Sequence, residues 1–230
     1  MSQPKRAVVL LSGGMDSATS AAIARAEGFD LYTLAFDYGQ RHRRELASAQ
    51  AVSQALGARD HRVVTIDLRA FGGSALTDDI AVPHDRTLGE MGHDIPITYV
   101  PGRNLIFLSF ATAYAEVVGA DDIFLGINQQ DYSGYPDCRQ EFLDSFIETA
   151  NLATKAGTQD GRRLQIHAPL IALTKGGIVS RGLELGVPFE LTWSCYEGDE
   201  RACGTCDSCQ LRLKGFAEAG VTDPIPYANA

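Results

Sequence analysis

Short runs of branched and aliphatic residues alternate along the chain with longer segments whose apolar positions recur every three or four residues. AVVLL (7–11) precedes a helical segment that opens at Asp16, and LYTLAF (31–36) precedes RRELASAQAVSQALG (43–57). RVVTI (62–66), then RNLIFLSFATAYAEVVG (103–119), DIFLGIN (122–128) and LQIHAPL (164–170) continue the rhythm. Between the last two, Phe142, Leu143, Phe146, Ile147, Ala150 and Ala153 share one helical face. TKGGIVSRGLELG (174–186) is a last helix that stops before Pro188. Apolar strands of this kind, separated by helices, predict an α/β fold with a parallel, doubly wound sheet of about five strands. Right-handed crossovers then bring the carboxyl ends of the strands to one edge, where ligands of open α/β sheets bind.

The rhythm fails between Phe71 and Pro96, where glycine, proline and mixed charge show no sustained period. Residues 71–96 are therefore expected as a long excursion, a lid, functional loop or dimer element. Residues 1–193 are expected to form the α/β domain and 194–230 a small appendage. The apolar stretch between Arg103 and Glu116 is twelve residues long, too short to span a bilayer. The N-terminal apolar run ends in Ser-Gly-Gly without a cleavage pattern, so no secretion signal and no membrane contact are expected. With 230 residues, 45% of them hydrophobic and 21% charged, the composition is that of a globular chain. Its net charge of −9 disfavours nucleic acid and favours small molecules as partners.

The first strand leads through Leu11, Ser12, Gly13, Gly14 and Met15 into a helix carrying Asp16 and Ser17. Free backbone N–H groups and the positive end of a helix dipole then meet at the strand's carboxyl end, which suits an anion. The two glycines allow close approach of a phosphate, the serines supply hydroxyls, and Asp16 could hold magnesium or cap the helix. A tight turn with glycine for geometry and aspartate for capping would produce the same residues. No Walker pattern or nucleophile elbow is present.

Other strand ends add candidates. Asp37, Gln40, Arg41 and His42 follow the second strand, whereas Arg43 and Arg44 are expected on an exposed helix face. Arg103, after Pro101-Gly102, could clamp a phosphate or carboxylate, or form a structural ion pair. The stretch from Asn128 to Asp137, with Gln129, Asp131, Tyr132, Ser133 and Tyr135, is expected as a loop suited to binding a flat heterocycle. Lys175 begins the last helix, where a cation opposes the dipole unless an anion lies near; a bound phosphate is the expected partner, an exposed lysine the alternative. Cys138 is expected to be a small packing residue.

The other four cysteines, Cys195-x7-Cys203-x2-Cys206-x2-Cys209, lie within fifteen residues. Two C-x-x-C intervals can close a tetrahedral zinc site, structural because four thiolates leave no open position; redox dithiols or an iron–sulfur centre are the alternatives. Five cysteines so distributed are no disulfide scaffold, and a reducing cytoplasm is the expected compartment.

SGGMDS resembles the pyrophosphate loop of the N-type ATP pyrophosphatases, the PP-loop superfamily with its adenine-nucleotide α-hydrolase-like fold. Taken in order, LSGGMDS, DYGQRHRREL, VPGRNLIFLS, DYSGYPDCR, PLIALTKGGIV and ELTWSCYEG with CGTCDSC are similar to the QueC family of queuosine biosynthesis, the 7-cyano-7-deazaguanine synthases, over nearly the whole chain. The resemblance implies a carbon–nitrogen ligase that turns 7-carboxy-7-deazaguanine, ammonia and ATP into the nitrile through adenylated carboxylate and amide intermediates. It implies ATP on residues 11–17 with Mg2+ at Asp16, and charge compensation by Arg103 and Lys175. Asn128, Asp131, Tyr132 and Gln40 would contact the deazaguanine. One Zn2+ would sit on the four clustered cysteines, and the protein would be a homodimer. A related adenylating amide synthetase and a nucleotide sensor are the other readings.

Overall fold

β1 (Arg6–Leu10) is the middle of the sheet and is buried on both faces. Val8 and Leu10 enter one core while Ala7, Val9 and Leu11 enter the other, which is why the strand reads as an unbroken apolar run rather than an alternation. The computed structural model describes residues 5–40, 44–86, 95–198 and 200–228. After β1 come α1 (Met15–Ala26), β2 (Asp30–Asp37), α2 (Arg44–Ala55), β3 (Asp60–Thr65), α3 (Arg103–Val118) and β4 (Asp122–Phe124). The chain continues with α4 (Gln129–Gly134), α5 (Gln140–Ala153), α6 (Lys155–Thr158), β5 (Gln165–His167), α7 (Lys175–Glu184) and α8 (Asp207–Glu218).

The five strands are parallel, in the order β3-β2-β1-β4-β5. Helices α3 and α5 contribute Leu108, Ala111, Leu143 and Ala150 to one core, and α1 and α2 contribute Ala18, Ala22 and Val52 to the other. Burying a side chain of Val or Leu size stabilises the fold by roughly 1.5–3 kcal/mol, so the two faces of β1 anchor the domain. The strand order reverses between β1 and β4, which opens a crevice at their carboxyl ends. The five-stranded, doubly wound sheet expected from the hydrophobic pattern is the sheet observed.

Several elements differ from the pattern. In DIFLGIN the strand covers only Asp122–Phe124, with Leu125 N–H still donating to the His167 carbonyl at 3.0 Å; at Gly126, where a Cβ would lie 2.7 Å from the Ser17 nitrogen, the chain passes against the start of α1. The segment after Asn128, expected as a loop, winds into α4 and a 3-10 turn at Pro136–Cys138. Helix α3, although apolar almost throughout, buries one side and leaves Phe110 and Val117 exposed. Helix α8 was not anticipated among the cysteines.

Trp193, Cys195, Ala202, Cys206, Cys209, Ile225 and Tyr227 form a third, small core together with Ala75 and Val82 from the long excursion. Asp85 N–H donates to the Thr205 carbonyl at 3.0 Å, His84 makes a bridge to Cys206, and Arg86 pairs with Asp207. The described part of the excursion, residues 71–86 and 95–96, thus braces the cysteine segment. Helix α8 is fastened by a buried ion pair, Arg212 Nε to Asp223 Oδ2 at 2.7 Å, with Arg212 also donating to Thr192 Oγ1 and the Phe189 carbonyl.

Candidate nucleotide and metal sites

Ser12, Gly13 and Gly14 join β1 to α1 at the crevice. Gly14 is the N-cap of α1 and no side chain caps the helix, so the first-turn N–H groups lack an intrahelical or capping partner. Ser17 Oγ donates to the Gly14 carbonyl at 3.1 Å and lies 3.1 Å from Ser12 Oγ, holding the loop in a closed curve. Gly13 has φ +88°, and a Cβ there would meet the Glu45 carbonyl at 2.3 Å; only glycine lets α2 pack this close to the loop. Trp193 N–H donates to the Gly13 carbonyl at 2.8 Å and closes the loop from the other side. The side chains of Leu11 and Met15 are buried in the core, so these two residues offer an anion only backbone.

Asp16 faces the crevice. Its Oδ2 accepts from Lys175 Nζ at 2.6 Å and from Asn128 Nδ2 at 3.3 Å, while its Oδ1 is buried without a hydrogen-bond partner. That orphaned oxygen beside open helix N–H groups fits a hard divalent cation shared with phosphate oxygens. Burial alone would lower the Lys175 pKa, but the carboxylates of Asp16 and Asp131 outweigh it and the net shift is upward. The residue is a fixed positive charge at the mouth of the loop.

Asn128 and Asp131 bond to each other. Asp131 Oδ2 accepts from Asn128 N–H at 3.2 Å and Nδ2 at 2.6 Å, and Asp131 N–H donates back to Asn128 Oδ1 at 3.3 Å. Loss of water raises the Asp131 pKa to about 6, against the pull of Lys175. Gln40 turns onto its own backbone: Oε1 accepts from Tyr38 N–H at 2.8 Å and Nε2 donates to the Phe36 carbonyl at 3.1 Å. Tyr132 belongs to α4, but its side chain lies outside the described residues, as do Arg41, His42 and Arg43. Arg44 is no freely solvated cation, since its guanidinium stacks 3.9 Å above the ring of buried Trp193. Cys138 is buried and accepts from Asn104 Nδ2 at 3.1 Å; desolvation holds its pKa well above that of a free thiol, as befits a packing residue.

A cavity of about 260 Å³ extends from the Ser-Gly-Gly loop across the ends of β1, β2 and β4. Leu10, Leu34 and Ala35 line one part; Tyr38, Glu45, Arg103 and Tyr196 line another. A second cavity of about 150 Å³, lined by Lys175, meets the first at Asp16, Asp131 and Tyr135. The structure therefore brings Ser12–Ser17, Asp131, Lys175 and Arg103 to one connected space. Sequence reasoning missed Glu45, Trp193 and Tyr196 as cavity residues. Their signal was present in DYGQRHRREL and ELTWSCYEG, where polar and aromatic residues adjoin other candidates.

The sulfurs of Cys195, Cys203, Cys206 and Cys209 all lie within 4.8 Å of one another. A tetrahedral ion with bonds of about 2.3 Å separates its sulfurs by about 3.8 Å, and the Cys203–Cys209 separation is 3.9 Å. Backbone N–H groups of Gly198, Cys203 and Glu197 donate to Cys195 Sγ at 3.1, 3.3 and 3.5 Å. The neighbouring Cys206 and Cys209 thiols, then the Cys203 and Glu197 N–H groups, hold the Cys195 pKa far below that of a free thiol against the effect of burial. Four converging sulfurs with amide support can hold a metal.

A doubly wound parallel sheet carrying an uncapped Ser-Gly-Gly helix start, with an aspartate–lysine pair above it, defines a nucleotide-binding enzyme of the PP-loop class. The NMN synthetase of Francisella tularensis shares the fold, with a TM-score of 0.51 and 18% identity over 96% of this chain and 79% of that one. The family model described as queuosine biosynthesis protein QueC matches residues 6–220, and the chain belongs to that family. The 7-cyano-7-deazaguanine synthase of Geotalea daltonii is 60% identical over 226 residues, 97% of each chain. That of Kineococcus radiotolerans is 61% identical over 226 residues, 97% of this chain and 98% of the relative.

Proposed function

We propose that this chain is an ATP-dependent carbon–nitrogen ligase that converts 7-carboxy-7-deazaguanine and ammonia to 7-cyano-7-deazaguanine. The observation that carries the reading is Lys175 held 2.6 Å from Asp16 above an uncapped phosphate loop, in a chain matching such synthases over nearly its whole length. A carboxylate is a poor electrophile. Its attack on the α-phosphorus of ATP expels pyrophosphate and leaves an acyl-adenylate, from which ammonia displaces AMP to form the amide. A second ATP takes the amide oxygen in the same way, and loss of AMP with the two N–H protons yields the nitrile.

Ser12, Gly13, Gly14 and Ser17 would hold the departing pyrophosphate through backbone and hydroxyl donors, with Leu11 and Met15 contributing backbone only. Asp16 would hold Mg2+, which supplies charge neutralisation on the phosphate oxygens when bound. Lys175 offsets charge on the leaving group while fixing the Asp16 carboxylate. Asp131, at the junction of the two cavities and oriented by Asn128 behind it, is suited to flank the reacting carboxyl group of the substrate. The cysteine cluster suits one structural Zn2+, which would pin residues 194–230 against the α/β domain of residues 1–193 and shape the cavity wall between Trp193 and Tyr196. The exposed pair Phe110 and Val117 on α3 supports a homodimer, and four cysteines gathered as for a metal ion support a reducing, cytoplasmic setting.

The test is incubation with ATP, magnesium, ammonium and 7-carboxy-7-deazaguanine, with nucleotides followed by chromatography and the base by mass spectrometry. Nitrile appearing with AMP and pyrophosphate is the expected outcome. Amide without nitrile would make the chain an amide-forming relative, and ATP binding without pyrophosphate release would make it a sensor.

A further inference from the structure

Two groups in the larger cavity are left incomplete by the protein. Glu45 lines it from the start of α2, yet among the described residues no hydrogen bond or ion pair reaches its carboxylate. Arg103 lines it from the start of α3, lies 5.9 Å from the centre of the Tyr38 ring and, among the described residues, makes one long hydrogen bond, Nη1 to Tyr38 Oη at 3.4 Å, which leaves most of its five N–H donors without an acceptor there. The two side chains influence each other electrostatically but form no ion pair between themselves, so a gap separates an acceptor from a donor. Loss of water raises the Glu45 pKa to about 7, opposed by Arg103, the direction expected for a half-buried carboxyl in a cavity without protein donors of its own.

A flat edge that presents two donors and one acceptor would satisfy both groups. Guanine and its 7-deaza analogue present such an edge: N1–H and the 2-amino group donate, and the 6-oxo group accepts. We propose that Glu45 and Arg103 read the pyrimidinone edge of the substrate base, Glu45 accepting from N1–H and the 2-amino group and Arg103 donating to the 6-oxo oxygen. This assignment rests on the proposed function and moves Arg103 from the phosphates to the base. Asp131 is the less suitable reader, because one of its oxygens is already taken by Asn128 and its field is set by Lys175 and Asp16.

The arrangement also solves a sorting problem. Two fused-ring bases, adenine and deazaguanine, must occupy one connected cavity in opposite senses. Adenine carries an acceptor at N1, which Glu45 repels, so the adenine ring is directed to the apolar part lined by Leu10, Leu34 and Ala35.

The experiment compares 7-carboxy-7-deazaguanine with the same base lacking its 2-amino group, as substrates for the wild-type enzyme and for Glu45→Gln. The wild type is expected to convert the parent and to lose about ten- to a hundredfold in kcat/KM on the analogue, the cost of an unmet charged hydrogen bond. Glu45→Gln is expected to lose a similar factor on the parent, to discriminate little between the two bases, and to keep its KM for ATP. Equal use of both bases by the wild type overturns the inference and leaves the proposed function standing; this arm needs no variant to fold. A raised KM for ATP in Glu45→Gln, with discrimination between the bases intact, likewise overturns it by assigning Glu45 to the nucleotide. Failure of the wild type to convert the parent base overturns the function and the inference together.

Discussion

Lys175 Nζ donates to Asp16 Oδ2 at 2.6 Å across 159 residues of sequence, joining the first turn of α7 to the first turn of α1. A cation at a helix N-terminus opposes the helix dipole, and an aspartate at the neighbouring N-terminus compensates both charges. The pair leaves one Asp16 oxygen orphaned and directs a positive charge at the loop. Chemistry on a triphosphate needs both features.

Lys175→Met should therefore reduce pyrophosphate release about 10²–10³-fold, the usual loss when a charge-stabilising group is removed from the reacting centre. Single-turnover assays with saturating ATP read this directly, and circular dichroism checks that α7 still forms. An unchanged rate would remove Lys175 from the chemistry.

Loss of one sulfur should empty the metal site. Cys206→Ser is expected to lower bound zinc from one per chain to none, measured by mass spectrometry of the metal. The unfolding midpoint should fall as well. A loss of about 4 kcal/mol corresponds to about 8–16 °C in a chain of this size. ATP binding should weaken in parallel, because Trp193 and Tyr196, which line the larger cavity, share the small core with the cysteines.

Arg212→Ala leaves Asp223 buried and without its cation. Breaking one partner of a buried pair costs about 3–5 kcal/mol, to be read from urea unfolding. Replacing both residues by apolar ones of similar volume should cost less than the single change, since no unpaired charge is left. Equal losses would mean that packing rather than charge fastens α8.

Asp131 sets a pH dependence of stability. Its folded pKa is about 6, raised by desolvation, and its unfolded pKa is about 4. Between those values the folded chain binds more protons than the unfolded chain, so this group's contribution makes stability fall as pH rises from about 4 to about 6. Asp131→Asn should remove that part of the slope in thermal unfolding measured without nucleotide or magnesium. A slope unchanged by the substitution would show that Asp131 is normally hydrated.

The elements most legible in the sequence are those whose residues face two cores. AVVLL read as a buried strand because both of its faces are apolar, and the glycines of SGGMDS as the turn that leads from it into a helix; its place at the centre of the sheet came from the structure. The cysteine spacing was equally plain, since short loops between ligands are a local property. Gln40 was legible as a polar residue at a strand end, but not its direction, which the Tyr38 and Phe36 backbone groups determine. Arg44 read as a solvated cation because its partner, Trp193, is far away in the chain. Helix α8 was hidden because the cysteines at its start, Cys206 at the N-cap and Cys209 in the first turn, carried a stronger signal than its apolar face.

The sequence by itself determined the parallel α/β sheet, the Ser-Gly-Gly turn into α1 and the four-sulfur cluster, each set by local pattern and by residues near in the chain. Only the tertiary structure decided that Lys175 meets Asp16, that Asn128 and Asp131 bond to each other, and that Glu45 faces the cavity with Arg103. Such pairings depend on where strand ends and helix starts converge in space, and hydrophobic periodicity carries no information about which polar side chains meet there.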